Sequence, residues 1–509
     1  MTAVLTDTLK RIMLDNIYDN VSDSGASVGQ FGPGNYYIGI AKSQDWDTSD
    51  TPVDAKNTLR EERNFRLNLQ SMKQAESVSY VVPRNNWASS TVYSAYDDDQ
   101  QGYPSNPYYV LTEDSRVYIC LEQGKDATGT AVNSTVKPNA VTLDSFKGAD
   151  GYVWKFLYTI NSADRTNYLS TNFMPVKKLD GGDSAGDPLR ADWTSEDNAA
   201  FLISDSASPG NIGSITVLTG GSGFTTVPTV TISGISDASA ITLGDSAAAT
   251  AIISGGSVVD IQMDSNVTGR LGRRHGTGYT AAAVTISGGG GSGATARANL
   301  SPIRGFGHDP RLDLRSSGLM FNAKLTGDEE GKFLIGQDFR QVGLIKNPRI
   351  NLFDSDLGKH FQGTRDAGGT VPVGLDIDSS PSVFAGASGL ALNKMLFAAT
   401  AATDILDTII VGATSGAKAY VDRLEADSSN RDFVYWHQDE ATGFKPFAAS
   451  EAIVKDAGGG SVGSIDSANC ISTIIDINRH AGDILYIENM ASVDRSASQT
   501  EDIKVIIQI

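Results

Sequence analysis

The sequence predicts an α+β chain that is mostly β, and three observations lead there. Helical spacing is confined to two stretches near the start, short β-branched runs recur from Tyr36 to the last residue, and glycine-rich turns separate many of those runs. A chain that opens helical and continues as strands fits an α+β core.

Leu9, Ile12, Met13 and Ile17 share one face of a helix that ends before a Ser-Asp-Ser-Gly loop at 22–25. Tyr36–Ile40 is a strand candidate. Thr58 to Lys73 reads as a charged helix with Leu59, Leu67 and Met72 as its apolar contacts. Strands are expected at Ser77–Val82, Val117–Leu121 and Val153–Ile160.

Between Gly210 and Leu300 the composition changes: 18 glycines and only 8 charged side chains occur in 91 residues. The block also repeats itself. Gly221-Ser-Gly-Phe-Thr225 followed by Val230-Thr-Ile-Ser-Gly234 returns as Gly276-Thr-Gly-Tyr-Thr280 followed by Val284-Thr-Ile-Ser-Gly288, and each copy reaches an Ala-Thr-Ala stretch at 249–251 and 294–296. One copy cannot cover its own hydrophobic face, so two copies stacked or interleaved are expected. A second β-patterned region runs from 351 to 474, with strand candidates at Thr408–Val411, Ala419–Val421, Phe433–Trp436 and Glu451–Val454. The chain closes on Asp483–Glu488 and Ile503–Ile509, the last strand tying the C-terminus into a sheet.

The 509 residues suggest roughly three domains. With 41 Lys+Arg against 60 Asp+Glu, the net charge is −19, which disfavours nucleic acid and anionic membranes as partners. Cys120 and Cys470 are too far apart in sequence for a disulfide framework or zinc cluster, and each reads as a structural thiol. Met1–Leu14 carries Asp7, Lys10 and Arg11 inside its apolar run, unlike a signal peptide, and no run is long enough to span a bilayer. Assembly in a reducing cytoplasm is expected.

Few motifs carry chemistry. Gly288-x-Gly290-x-x-Gly293 has the dinucleotide spacing, with Asp313 twenty positions on, yet Pro302 cuts the helix it needs, so a β-turn is expected. His275, His308, His360, His437 and His480 lack helical-spaced partners. Ser388 and Ser415 lack the nucleophile-elbow spacing and read as turn serines. Asp97-Asp-Asp99 and Asp354-x-Asp356 read as solvated loops rather than cation sites. Arg270, Arg273, Arg274 and His275 form a basic knot that suits an acidic neighbour or an exposed turn equally. Tyr93, Tyr96, Tyr103, Tyr108 and Tyr109 make either an interface loop or a loop pinned to its own domain.

Three separated segments resemble one known family. They are Val81-Val-Pro83-Arg84-Asn-Asn-Trp87; Gly151-Tyr152-Val-Trp154-Lys-Phe-Leu-Tyr-Thr-Ile160 after Ala149-Asp150; and Gly482-Asp-Ile-Leu-Tyr486-Ile-Glu488-Asn489 with Gln499–Ile503. Their order and spacing from the C-terminus are similar to the baseplate wedge proteins, gene product eight, of T-even-type contractile-tailed phages. Ser316–Met320 through Gln341–Pro348 is similar to the family's stretch before that end.

The resemblance implies a discontinuous wedge core, 1–205, 305–350 and 475–509, with two inserted small all-β domains at 206–304 and 351–474. It further implies a structural subunit of the virion tail baseplate without catalytic activity or cofactor. Such a subunit forms a homodimer within each wedge, binds other baseplate wedge proteins and possible tail-fibre neighbours, and transmits conformational change on host attachment. Under it Pro83, Arg84, Trp87, Gly151, Tyr152, Trp154, Tyr486, Glu488 and Asn489 are fold or interface determinants. The runner-up is a tail-peripheral adhesin whose inserted β domains bind host surface glycan.

Overall fold

The computed structural model describes residues 6–22, 36–179, 194–235, 246–264, 275–329, 331–333, 336, 338–350, 352–354, 359–361, 384, 387–401, 403–426, 430–466, 477–496 and 498–509. Cys470, Asp356, Arg270, Arg273 and Arg274 lie outside the described residues. The chain is mostly β, built from several antiparallel sheets. It divides into two compact units, one of residues 1–12, 79–319 and 508–509, the other of residues 13–78 and 320–507.

Among the described residues five α-helices punctuate the strands: α1 Asp7–Ser22, α2 Leu59–Asn68, α3 Ser162–Tyr168, α4 Ser195–Ser206 and α5 Pro310–Asp313. Their starts follow from capping chemistry. Thr58 caps α2 by accepting from Glu61 N–H, and Thr194 and Asp197 form a reciprocal capping box on α4. The expected helix over 58–73 stops early: Leu69 is already extended, and Leu69–Gln74 is a buried strand. Charge alone hid this change, because Gln70, Ser71 and Lys73 are polar on a strand with little contact to water.

In the first unit, Tyr109–Leu111, Arg116–Glu122, Val153–Thr159 and Phe146–Lys147 form a four-stranded antiparallel sheet in that order. Its central strands are apolar on both faces, as strands covered twice must be. Helix α4 is fastened to it through Glu196, which takes Arg116 Nη2 at 2.5 Å and Thr159 Oγ1 at 2.6 Å.

The repeat block is interleaved. Val230-Thr-Ile232 of the first copy pairs antiparallel with Val284-Thr-Ile286 of the second, with Thr231 opposite Thr285 at the centre. The strand that opens the first copy, Ile212–Ser222, pairs with the Ala-Thr-Ala strand of the second, Ser292–Leu300. Reciprocally, Ser257–Met263 pairs with Ala249–Ser254 of the first copy. Phe224 and Tyr279, equivalent in the two copies, are both buried in the shared core. Their N–H groups donate to Gly256 O and Gly210 O, each just before the opening strand of a copy, so the pseudo-two-fold extends to the turns. Gly288 to Gly291 make the turn between Ala281–Ser287 and Ser292–Leu300, as expected, with Gly293 on the second strand and no helix after it.

In the second unit a five-stranded antiparallel sheet runs Ser388–Leu390, Leu69–Gln74, Tyr36–Ala41, Asp338–Lys346, Asp483–Asp494. A six-stranded sheet runs Asn393–Leu396, Asp432–His437, Lys418–Ala426, Ile409–Gly412, Ala452–Lys455, Ser461–Ser464 and closes over its own core around Phe397, Ile410, Val434 and Trp436. Ser388–Leu390 belongs to the former sheet, so the self-contained part of the 351–474 region starts at Asn393. The last strand is Thr500–Gln508.

Candidate functional site

Two of the three motif segments meet in the first unit. Pro83 ends the strand Ser77–Pro83, and its carbonyl takes the Tyr109 hydroxyl at 2.8 Å. Arg84 reaches the loop before Phe173–Val176: its N–H donates to Asn172 O at 2.8 Å and Nη1 to Ser170 O at 2.9 Å. Trp87 donates its backbone N–H to Leu111 O and its indole Nε1 to Ser134 Oγ at 3.3 Å. Ser134, fully buried, donates in turn to Asp150 Oδ2 at 2.9 Å. The same oxygen takes Thr135 N–H at 2.9 Å and Val136 N–H at 3.0 Å.

Asp150 is therefore the hub between the Trp87 element and the run that starts at Gly151. Gly151 sits at φ +87, in the turn between Asp150 and Tyr152, a conformation that favours glycine. Tyr152 stacks on Trp154 at 5.8 Å with 19° between planes, and Tyr93 stands edge-on to both, at 6.2 and 5.5 Å. The Tyr152 hydroxyl donates to Val132 O at 2.7 Å and accepts Tyr93 N–H at 3.2 Å. Burial pushes that hydroxyl up to about 12, so it stays a neutral donor. Tyr93 and Ser134 were not legible as partners in the sequence, because the contacts cross 59 positions in one case and 47 in the other.

The network gives a direct expectation. Removing the Asp150 carboxylate strands the buried Ser134 hydroxyl and frees two backbone N–H groups on exposed residues, so Asp150→Ala should lower stability by about 2–3 kcal/mol. Trp87→Phe, which loses one long indole bond, should cost less than about 1.5 kcal/mol. Urea unfolding of both variants checks this; equal losses would remove Asp150 from its central place.

Tyr486, Glu488 and Asn489 belong to the second unit, on Asp483–Asp494. The Tyr486 hydroxyl donates to Glu488 Oε2 at 2.5 Å, and burial, then Glu488, raises its pKa. Asn489 is a bridge: Oδ1 accepts from Gln341 Nε2 at 2.8 Å and Nδ2 donates to Val53 O at 2.8 Å.

The remaining candidates resolve individually. Tyr93, Tyr96, Tyr108 and Tyr109 are buried in their own unit, with Tyr96 edge-on to Tyr108 and Phe306, so the pinned-loop alternative describes them; only Tyr103 is exposed. Asp97–Asp99 is a loop with Asp98 and Asp99 exposed, as expected, but two of its carboxylates, those of Asp97 and Asp98, are paired. Arg297 of the repeat block clamps them at 2.7 and 2.6 Å, a contact 200 positions away that local acidity could not reveal. Ser415 lies in a turn tied to Glu451, and Ser388 in a strand. Cys120 is buried with its thiol pushed up by burial, which leaves it inert as a nucleophile.

Of the histidines, His275 holds Ser145 Oγ at 3.0 Å and Ile212 O at 2.6 Å, and His308 holds Ser204 O at 3.0 Å. His480 is exposed, and His360 lies in a short strand. His437 is buried with Nδ1 2.7 Å from Asp422, whose other oxygen takes Ser43 Oγ at 2.7 Å. These are the residue types of a nucleophile relay in another order: Ser43 donates to the carboxylate and not to the imidazole, which lies on the far side of Asp422. Among the described residues no group of three His, Cys, Asp or Glu side chains is placed to hold a metal, and no helix is long and apolar enough to cross a membrane. No family model matches the chain, and no curated protein matches its sequence.

Proposed function

We propose that the chain is a structural subunit of the baseplate wedge of a contractile phage tail. In this reading it joins neighbouring wedge proteins as a homodimer and passes conformational change on host attachment, with no reaction and no cofactor of its own. The observation that supports it best is the Trp87–Ser134–Asp150 network. Residues that the resemblance implies as fold determinants are connected to one another, and they sit in packing and hydrogen-bond roles. The core is read as discontinuous, 1–205, 305–350 and 475–509, carrying inserted β domains at 206–304 and 351–474. Strand pairing confined to Ile212–Leu300, and again to Asn393–Ser464, supports that division.

A partner surface is available on α1, where Leu9, Ile12 and Met13, spaced i, i+3 and i+4, are exposed. Charged substitutions there, Ile12→Glu with Met13→Lys, should leave the fold intact and weaken assembly. Mass spectrometry of purified virions, followed by cryo-EM of the tail end, tests the whole reading. The expected result is this chain in the baseplate in stoichiometric copies; its absence from virions overturns the proposal.

A further inference from the structure

Inside the first unit a cleft of about 390 Å³ separates the repeat strands from the flanking sheet. One wall is Val259–Gln262 and Ser214–Val217 with Asn299 behind them; the other is Ala95–Asp97, Glu122–Lys125 and Gly129. The volume falls in the range of small-ligand sites, about 300–1,000 Å³. Most such sites are apolar, and this one is polar, so its occupant must be recognised through hydrogen bonds.

The charges on the walls disfavour anions. Asp97, Glu122 and Asp260 face one lysine, Lys125, a sum of 1 − 3 = −2. Counting Arg297, which holds Asp97 at 2.7 Å, leaves the sum negative at −1. The hydrogen-bond directions then decide between a cation and a neutral ligand. Asn299 Nδ2 donates to Ser214 Oγ and to Thr216 Oγ1, both at 2.9 Å. A hydroxyl that accepts from an amide keeps its own proton to give and a second lone pair, so both hydroxyls can still donate and accept. Asp260 takes Lys125 Nζ on Oδ1 at 2.7 Å and Gln262 Nε2 on Oδ2 at 3.0 Å, and each oxygen keeps a further lone pair. The Lys125 ammonium likewise keeps N–H groups beyond the one it spends on Asp260.

Donors and acceptors thus alternate across the gap. A cationic amine would satisfy the carboxylates but face the Lys125 ammonium, a like charge that cannot accept from it and whose remaining N–H groups it cannot take. A sugar hydroxyl both donates and accepts, and vicinal hydroxyls meet a mixed wall of this kind without an unpaired partner. We propose that this cleft binds a neutral saccharide, held between the repeat block and the flanking sheet. The assignment stands on the purified chain and is independent of where the protein assembles.

The test uses the full chain with maltotriose, cellotriose and diacetylchitobiose as neutral probes, sialyllactose as the anion and spermidine as the cation. Saturation-transfer NMR and thermal shift read binding. At least one neutral probe should give transfer and a concentration-dependent rise in Tm, whereas sialyllactose and spermidine should bind more weakly than that probe. Ala95→Trp, which plugs the cleft, should cut affinity by about tenfold or more. Thr216→Val, which keeps shape and removes one donor, should cut it by a factor of a few and guards against a folding defect in the first variant. Three results would overturn the assignment: no neutral probe binding at tens of millimolar, stronger binding of either charged control, or binding undiminished in both variants.

Discussion

Asp313→Asn should make the first unit more stable above pH 8 and leave it nearly unchanged at acid pH. Asp313 ends α5 and is fully buried; its Oδ2 accepts Gly307 N–H at 2.9 Å, while Oδ1 has no hydrogen-bond partner among the described residues. Burial pushes the carboxyl from 3.8 to about 8, with Asp309 adding to the rise and the Gly307 N–H and Lys155 opposing it. Asp309 keeps its negative charge because Arg311 Nη2 holds that carboxylate at 2.8 Å, and Lys155 gives its ammonium to Leu143 O at 2.6 Å.

A carboxyl whose folded pKa is raised binds protons more tightly in the native state. Its contribution is therefore complete below about 4, is lost progressively as pH rises, and is gone above about 8. The span from 3.8 to about 8, at about 1.4 kcal/mol per pH unit, corresponds to roughly 6 kcal/mol, of which relaxation and water entry should leave a few to be measured. Asparagine keeps the acceptor for Gly307 and carries no charge. Urea midpoints across that pH range should fall for the wild type and stay level for the variant. Parallel curves would show that Asp313 is ionised at no cost.

Much of the strand content was legible because β-branched alternation is a local signal. Val153–Thr159, Val230–Ile232, Val284–Ile286 and Phe433–Trp436 all lie in strands for that reason. The repeat was legible too, and interleaving is the solution that lets Phe224 and Tyr279 share one core. What stayed hidden depends on distant partners. Arg297 reads as a lone charge in a glycine-rich block until Asp97 and Asp98 arrive from 200 positions away. Arg479, beside His480, carries no local signal of its place. It is in fact buried, donating to Ala391 O at 2.6 Å and Leu67 O at 3.1 Å, and burial lowers its pKa to about 10. Asp150 was visible only as the residue before a motif, since its value lies in the three donors that converge on it.

The largest misreading, the helix over 58–73, leads to the sharpest test of packing. Helix α2 buries Phe65, not Leu59, which is exposed. The Phe65 ring lies against the five-stranded sheet where Gly39 and Gly343 stand opposite each other in register. A Cβ on Gly343 would come within 2.9 Å of Phe65 Cε1, 2.8 Å of Cε2 and closer still to Cζ; one on Gly39 would meet Leu69 Cδ1 at 2.8 Å. Neither glycine has a positive φ, so the need is for space alone.

Alanine in a strand ordinarily gains about 0.5–1 kcal/mol over glycine through backbone entropy. Here the ring clash should win, and Gly343→Ala should cost about 1–3 kcal/mol. Phe65→Ala should cost about 3–5 kcal/mol by opening a cavity under α2. In the double variant the new methyl enters that cavity, so the combined loss should fall short of the sum by at least about 1 kcal/mol. Additive losses, measured by urea unfolding on all four chains, would mean that the glycine pair is not there to seat the ring.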